Sequence, residues 1–269
     1  MSETTSYHHC SSCHTESSST YQTSISCNRQ VMVNNVVGEF SSVSMACKMV
    51  PSVITYSSQL KTGRECYYSV NLSADGHVIC GTMGKAEVWD ADRSEIKHST
   101  RVEGHMMDMN EYGDHLYRAW KYPNQLTVVR YDRQLTNREA IVSIPYKADP
   151  VSHIDVRYGS IAVTDYDNKL IKLYTTDGGF LRDIQLQDAQ RPYGVHLMKD
   201  NCVLVYDFES NSLTKYRTDG SGDIVWRCDD RLLRPSGMCV NEWGLIFVCC
   251  INGEKIYLIS PTGNCVISH

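Results

Sequence analysis

The runs Ser160-Ile-Ala-Val-Thr-Asp165 and Cys202-Val-Leu-Val-Tyr-Asp207 begin 42 residues apart and share one plan, an apolar stretch that ends in an aspartate. A short alternating stretch precedes each run, Ile154-Asp-Val156 in the first case and Val195-His-Leu197 in the second, with a turn between the two parts. β-Branched residues in period-2 runs bounded by Gly, Asp and Asn are typical of short strands. The two segments are therefore predicted to be copies of one unit of strands.

The same plan recurs along most of the chain. No window of ordinary helix length carries a convincing 3.6-residue pattern. A large residue near the end of the third run recurs every 42 or 43 residues, at Trp89, Tyr131, Tyr174, Tyr216 and Ile259. Random alternation would not keep that register over five copies. Three or four short strands per unit at this spacing are typical of a β-propeller rather than a sandwich, so the chain is predicted to be an all-β propeller.

The number of blades depends on the residues before the repeats. Five copies are legible, and they span Ser69–Ile96, Gly104–Glu139, Ser152–Leu186, Pro192–Cys228 and Pro235–Ser268. Residues 18–60 have the length of a sixth unit but lack its turn pattern. Val53-Ile-Thr-Tyr56 has the composition of a strand that would pair with the last blade and remove exposed edges. We expect six blades with a degenerate or composite first blade, and five blades are the alternative.

The N-terminal residues differ in composition from the repeats. Fourteen of the first 27 residues are Ser or Thr, and so little apolar surface cannot offset the entropy of ordering the chain. We therefore divide the chain into a flexible, disordered Ser/Thr-rich tail and linker over residues 1–50 and a propeller over residues 51–269. Cys10-Ser-Ser-Cys13-His14 in this tail has the spacing of half a zinc site, but a second ligand pair is missing, so we expect no specific role for it.

Composition limits the classes of function. The 26 Lys and Arg residues against 31 Asp and Glu leave a formal net charge of −5, which disfavours a strongly electrostatic nucleic-acid binder but allows a local basic patch. No run approaches 18 apolar residues, and the N-terminus lacks the regions of a secretory signal. The twelve cysteines are scattered, as expected for small buried thiols in a reducing compartment. We expect a cytoplasmic protein that does not bind a membrane.

Two segments near the C-terminus resemble a known repeat. Arg191-Pro-Tyr-Gly-Val195 precedes one apolar strand, and Arg234-Pro-Ser-Gly-Met238 precedes the next. Pro-x-Gly before an apolar strand that ends near Asp, followed by a strand and a Gly turn, resembles the NHL repeat. The sequence of these segments is especially similar to the C-terminal propellers of tripartite-motif (TRIM) family proteins. The resemblance covers residues 66–269 and is clearest over residues 151–269.

The resemblance implies a platform that recruits a ligand, which is a protein in some family members and RNA in others. TRIM proteins also carry a RING, B-boxes and a coiled coil, which supply ubiquitin-ligase activity and oligomerisation. Neither the cysteine–histidine spacing nor the heptads of those segments is visible in this sequence. Ligase activity is therefore not carried over, and the chain is expected to be the substrate-recruiting part of such a system and a monomer.

Polar residues share one position of the first strand in the repeats. The four oxygen or nitrogen ligands at this position, which would lie near the propeller axis, are Asn71, Asp108, Asp155 and His196, and the fifth copy has Cys239. Six-bladed propeller hydrolases and lactonases hold calcium or zinc with such sets, so a metal-dependent hydrolase is one alternative. The other is that these side chains hydrogen-bond neighbouring blades. No complete catalytic motif occurs, so we expect no enzyme activity and no cofactor.

A recognition surface is the third interpretation. The loops that lead into the first strand of each blade lie on the same face as the loops between the second and third strands. Aromatic, Arg and Lys side chains on one rim are enriched at interface hot spots, because they give contact area at low entropy cost. The predicted face carries Arg191, Tyr193 and Arg234 on the leading loops and Trp120, Lys121, Tyr122, Tyr166, Lys169, Phe208 and Lys255 on the others.

The kind of partner follows from the charges in these loops. An aromatic and basic mixture is suitable for RNA. Acidic residues that would repel phosphates lie in the same loops, at Asp165, Asp167, Asp207, Glu209 and Glu254. We therefore predict a non-catalytic platform for a protein or peptide partner, with RNA binding on the same face as the alternative.

Overall fold

The computed structural model describes residues 25–26, 31–32 and 69–268, with gaps at 74, 82–84, 91–94, 102–104, 123–124, 146–152, 230–231, 233, 242 and 251–254. The described strands form five sheets, each built around four consecutive strands of the chain. A short strand pair, β1 (Ile25–Ser26) and β2 (Val31–Met32), extends the first sheet.

Each sheet is one blade of a propeller. Blade 1 contains β3 (Ser69–Leu72), β4 (Val78–Gly81), β5 (Lys85–Asp90) and β6 (Glu95–Arg101). Blade 2 contains β7 (His105–Tyr112), β8 (His115–Tyr122), β9 (Gln125–Asp132) and β10 (Arg138–Pro145). Blade 3 contains β11 (Ile154–Arg157), β12 (Ser160–Asp165), β13 (Leu170–Thr175) and β14 (Phe180–Gln185).

The last two blades repeat this plan. Blade 4 contains β15 (Pro192–Leu197), β16 (Cys202–Asp207), β17 (Ser212–Arg217) and β18 (Ile224–Cys228). Blade 5 contains β19 (Pro235–Val240), β20 (Ile246–Cys250), β21 (Lys255–Ile259) and β22 (Cys265–Ser268). Consecutive strands within a blade pair antiparallel. The first strands of successive blades contact one another, β3 with β7, β7 with β11, β11 with β15 and β15 with β19, so they surround the axis.

The expectation of six blades is wrong, because the structure shows five. Residues 18–60 match a repeat in length, but length alone does not supply the four alternating runs that make a sheet. The described part of that region is the β1–β2 pair, in which Ser26 of β1 pairs parallel with Asn71 of β3. β1 also contacts β19, so it touches both the first and the last blade. The strand expected at residues 53–56 lies outside the described residues.

The hydrophobic core lies between blades rather than in one centre. Separate clusters of buried side chains join blades 1 and 2, blades 2 and 3, blades 3 and 4, and blades 4 and 5. The second strands are covered on both faces, and every residue of β16 is buried. Four of the five residues that set the sequence period belong to these layers, Tyr131, Tyr174, Tyr216 and Ile259, and the fifth, Trp89, is buried as well. The period therefore records the packing of one blade on the next.

Within the described part of the chain, no helix is long and apolar enough to cross a lipid bilayer.

Candidate recognition face

The polar residues near the axis connect neighbouring blades. Asn71 Nδ2 donates a hydrogen bond to the Met109 carbonyl of blade 2, over 3.0 Å. Asn110 Nδ2 donates to the Ile154 carbonyl of blade 3, over 2.9 Å. Asp155 Oδ2 accepts from the Leu197 backbone N–H of blade 4, over 2.7 Å. Each bond satisfies a polar group that the fold has removed from water, so these residues stabilise the ring of blades.

The structure corrects the register that the sequence predicts in blade 2. Asn71 pairs with Ile79 of the second strand in blade 1, and Asp155 pairs with Ala162 of the second strand in blade 3. The residue of blade 2 that corresponds to Ile79 and Ala162 is Tyr117, and it pairs with Asn110. Asn110 therefore takes the position that was predicted for Asp108. Tyr112 pairs with His115 across a two-residue turn, as Arg157 pairs with Ser160 in blade 3. The third pair from the turn is therefore Asn110 with Tyr117 in blade 2 and Asp155 with Ala162 in blade 3.

Asp155 and His196 lie side by side in the interior. Asp155 Oδ2 is 3.5 Å from His196 Nδ1, and both Asp155 oxygens accept from Arg157 Nε at 3.0 Å. Burial lowers the pKa of His196 to about 4, against the opposing effect of the Asp155 carboxylate. Among the described residues, no three His, Cys, Asp or Glu side chains come together in a group that could hold a metal ion. The axis residues act as links between blades in this structure.

Asp108 makes a different pair at the end of the axis. Its Oδ2 is 3.1 Å from His153 Nδ1 and accepts from the Ile154 backbone N–H over 3.3 Å. The His153 ring lies 4.7 Å from the Tyr193 ring, measured between centroids. Asp108 therefore holds a histidine of the loop that leads into blade 3, next to an aromatic residue at the start of β15.

The loops on this end of blade 4 are organised by one buried carboxylate. Asp207 ends β16, and its Oδ2 accepts from the backbone N–H groups of Gln190 and Arg191, over 2.7 and 2.8 Å. Its Oδ1 accepts from the N–H groups of Glu209 and Ser210, over 3.0 and 2.8 Å. One side chain thus fixes both the loop that leads into β15 and the loop between β16 and β17, as backbone donors gathered on a carboxylate do in other tight turns.

Two arginines and two aromatic rings alternate across this surface. The guanidinium carbon of Arg191 lies 5.0 Å from the centre of the Tyr166 ring and 5.8 Å from the centre of the Phe208 ring. The guanidinium carbon of Arg234 lies 4.8 Å from the centre of the same Phe208 ring. We call this set, Tyr166, Arg191, Phe208 and Arg234, the arginine–aromatic ladder. It spans blades 3, 4 and 5. Arg191 precedes blade 4 and contacts rings of blades 3 and 4, and Arg234 precedes blade 5 and contacts the ring of blade 4.

A fifth side chain of the predicted face joins the ladder because of a β-bulge. Pro192 pairs with Asp207 and Gly194 pairs with Tyr206, so Tyr193 is the extra residue of the bulge. Its ring stacks on Phe208 at 5.9 Å between centroids, with an interplanar angle of 30°. A Cβ atom on Gly194 would overlap the Tyr206 ring, so glycine at this position allows that ring to lie against the backbone.

The remaining predicted residues lie in different environments. Lys169 is exposed in the turn between β12 and β13, on the same face as Tyr166. Trp120 was predicted on a loop, but its side chain is 1% exposed, because β8 extends to Tyr122 and is packed on both faces. Lys121 is half-buried, and burial lowers the pKa of its ammonium group. The side chains of Tyr122 and Lys255 lie outside the described residues.

The acidic neighbours also divide into two groups. Asp165 and Asp207 are buried, and their carboxylates accept hydrogen bonds within their own turns. Asp167 and Glu209 are exposed. Glu209 Oε2 lies 4.0 Å from Arg191 Nη1, at the outer limit of an ion pair. Glu254 lies outside the described residues.

Sequence reasoning missed the residues that hold this face in place. Asp207 was taken as an acidic neighbour rather than as the anchor of two loops, and His153 was not singled out. The recurrence of Asp at the ends of β12 and β16 was the available signal for Asp207. The pairing of His153 with Asp108 had no signal, because the two residues are 45 positions apart and belong to different blades.

Comparisons with known proteins identify the fold as a β-propeller. The sequence matches no protein-family model and no curated protein sequence. Among solved structures, the chain is similar to a streptogramin B lyase, with 18% identity over 76% of this chain and 68% of that chain and a TM-score of 0.60. It is also similar to the WD40 propeller domain of Doa1, with 10% identity over 79% of this chain and 71% of that chain and a TM-score of 0.62.

A third similar structure comes from the nidogen/laminin complex, with 10% identity over 76% of this chain and 80% of that chain and a TM-score of 0.64. These proteins differ in what their names describe, a lyase in one case and a complex of proteins in another. At such low identities, the likeness shows the propeller fold alone.

Proposed function

We propose that this chain is a non-catalytic recognition propeller, which binds a protein partner on the face that carries the arginine–aromatic ladder. The observation behind the proposal is that the guanidinium groups of Arg191 and Arg234 both lie over the Phe208 ring. The two arginines nevertheless keep part of their surface in water. Arginine and aromatic side chains contribute most at protein interfaces, because they bury large areas with few rotatable bonds.

The ladder is ordered before any partner binds, which supports a binding role. Asp207 fixes the backbone of Arg191 through a hydrogen bond, and Asn211 Oδ1 accepts from the Arg234 backbone N–H over 2.8 Å. Arg234 has a φ of 53°, in the left-handed region that costs a non-glycine residue about 1–2 kcal/mol. A side chain that is held in place loses less entropy on binding, so such a surface binds more tightly than a mobile one of the same composition.

The resemblance to NHL repeats supports the same proposal. Pro-Tyr-Gly at the start of β15 places Tyr193 on the ladder and leaves room for Tyr206, so this part of the pattern has a structural role in the face. Under the resemblance to TRIM propellers, the partner would be the client protein that a TRIM-like ubiquitin ligase modifies. The propeller in the nidogen/laminin complex is an example of this fold in a protein assembly.

Affinity capture from a lysate of the source cells tests the proposal. The wild-type chain is compared with Arg191→Ala/Arg234→Ala, and both captures are run with and without RNase. The matched control is Lys199→Ala/Arg217→Ala, which removes two exposed cations from the opposite end of blade 4. Retained proteins are identified by mass spectrometry and then purified for a direct binding measurement.

The expected result is a protein that survives RNase, binds the control variant as strongly as the wild type, and is lost with the ladder variant. Loss on RNase treatment would move the function to RNA binding. A partner that is retained equally by all three chains would show that binding does not use this face.

A further inference from the structure

The arginine–aromatic ladder has a geometry that selects the chemistry of its partner. We propose that it binds two carboxylate side chains of an extended acidic segment of the partner protein, one on Arg191 and one on Arg234. This inference rests on the proposed function and specifies the ligand of the same face.

The two guanidinium groups each lie against an aromatic ring. Each is held near the face of a ring, Tyr166 for Arg191 and Phe208 for Arg234, at 5.0 and 4.8 Å between the guanidinium carbon and the ring centre. Contact with a ring uses the flat face of the guanidinium and leaves its N–H groups at the edge, where they form a planar fork. A carboxylate fits that fork with two parallel hydrogen bonds.

The two guanidinium forks lie close to each other. Both guanidinium groups contact the same Phe208 ring, at 5.8 and 4.8 Å from its centre. The two guanidinium carbons are therefore at most about 11 Å apart, a distance that two or three residues of an extended chain span at roughly 3.3–3.6 Å per residue. Acidic residues two or three positions apart would reach both arginines at once. The rings of Phe208 and Tyr193 lie beside them and can cover the chain between the two acids.

The protein already places a carboxylate of its own beside one of the arginines. Glu209 Oε2 is 4.0 Å from Arg191 Nη1, and the Glu209 side chain is 59% exposed. Such an exposed, long pair contributes little to stability. An incoming carboxylate can therefore displace Glu209 at low cost, and Glu209 competes with the partner for Arg191.

The charges around the ladder favour a peptide over a nucleic acid. Asp167 and Glu209 are exposed on the same face, with Lys169 as a further exposed cation. A nucleic-acid strand brings a phosphate with every nucleotide, and those that do not meet an arginine would face these carboxylates. A peptide with two acids can place neutral residues there instead.

Binding of labelled peptides to the purified full chain tests the inference by fluorescence anisotropy. The probes are 12-residue Gly/Ser/Thr peptides with two Glu residues two, three or four positions apart, their counterparts with Gln in place of Glu, and a 12-nucleotide oligouridine. We expect at least one Glu peptide with a spacing of two or three to bind about 10-fold more tightly than its Gln counterpart, a difference of about 1.4 kcal/mol.

The inference predicts weaker peptide binding for variants of the two arginines and tighter binding for a variant of Glu209. Arg191→Ala and Arg234→Ala should each weaken binding of that Glu peptide about 10-fold, and the corresponding Lys variants should recover only part of it, because a lysine cannot form the planar fork. Glu209→Gln should strengthen binding about 2- to 5-fold, because it removes the competitor for Arg191. The control variant Lys199→Ala/Arg217→Ala should bind like the wild type.

Equal binding of Glu and Gln peptides, or no measurable binding of any Glu peptide, would overturn the inference, as would tighter binding of oligouridine. These outcomes are distinct from failure of the proposed function. If capture still retains a protein that depends on Arg191 and Arg234, the recognition face remains and only the acidic ligand is wrong. If capture also fails to depend on them, both proposals are wrong.

Discussion

At the propeller axis, Asn71, Asn110 and Asp155 each hydrogen-bond the backbone of the next blade, whereas on the ladder face Arg191 and Arg234 contact rings and retain exposure to water. Within each set, the residues occupy matching positions of different repeats. Asn71, Asp155 and the two arginines are candidate site residues in the sequence, whereas Asn110 is not. Side chains at the axis lie between blades, so their hydrogen bonds join one blade to the next. Side chains on the leading loops lie above the sheets, so packing orders them without covering them.

This comparison shows how to interpret a regular column of polar residues in a repeat protein. A position that recurs in every blade faces the same neighbour each time, and a polar side chain there most simply bonds to that neighbour. A functional surface is better indicated by polar and aromatic residues that the packing holds in place but leaves in part exposed.

The largest effect is expected at the axis, for Asp155→Ala. The change leaves the buried Leu197 N–H without its acceptor and the Arg157 guanidinium without its carboxylate. We expect a loss of about 3–5 kcal/mol in the free energy of unfolding, measured by urea denaturation. A chelator should not lower the wild-type midpoint. A midpoint that falls with chelator in the wild type but not in the variant would instead place a metal ion at the axis.

A smaller effect is expected at the base of the ladder, for Gly194→Ala. The new Cβ atom would overlap the Tyr206 ring, which is fully buried and cannot move without disturbing its neighbours. We expect a loss of about 2–3 kcal/mol in unfolding free energy. Tyr206→Leu in the same chain should recover part of that loss, measured as the coupling energy of a double-mutant cycle. Additive effects of the two changes would contradict the contact.

The pH dependence of stability should report on the axis rather than on the face. The pKa of His196 is about 4 in the folded protein, below its ordinary value of 6.5, so the unfolded chain binds a proton more readily. The contribution of the buried, neutral His196 to the free energy of unfolding is therefore complete above pH 6.5 and is lost as the pH falls toward 4. Between pH 6.5 and 5 we expect a loss of about 2 kcal/mol. His196→Gln should flatten this part of the curve, and an unchanged slope would show that other groups cause it.

The smallest effect on stability is expected on the ladder, for Arg234→Ala. A cation–π contact at an exposed site contributes about 0.5–1 kcal/mol, so the free energy of unfolding should change by no more than that. Binding of the partner should fall sharply in the same variant. A loss of stability above about 2 kcal/mol would show that the ladder holds the fold together instead, which would remove the contrast with the axis.

Much of the fold could be predicted because a strand pattern is local. The alternating runs around Ile154, Val195 and Met238 mark first strands, and the 42- to 43-residue period marks the layers where one blade packs on the next. Antiparallel strands of similar length return the chain to the same end in every blade, so several residues of the face lie at one end of the propeller: Tyr166, Lys169, Arg191, Tyr193, Phe208 and Arg234.

The rest depends on contacts between distant residues. Trp120 lies at the end of a strand that is longer than its equivalents, and only its neighbours in blades 1 and 2 show that it is buried. Asn110 rather than Asp108 takes the axis position because β7 pairs with β8 around the tight turn at Gly113 and Asp114, which sets Asn110 opposite Tyr117. The number of blades likewise depends on which strands pair, since residues 18–60 have the length of a repeat but the described strands form five sheets.

The amino-acid sequence by itself determined the all-β class, the repeat and the end of the propeller to which the arginines and rings belong, since these follow from side-chain alternation and turn residues within each unit. The tertiary structure decided that the described strands form five blades, that the axis residues bond to the next blade, and that Asp207 orders the loops beneath the ladder. These features depend on which strands pair and which surfaces are buried, and such contacts form between residues that are tens of positions apart in the chain.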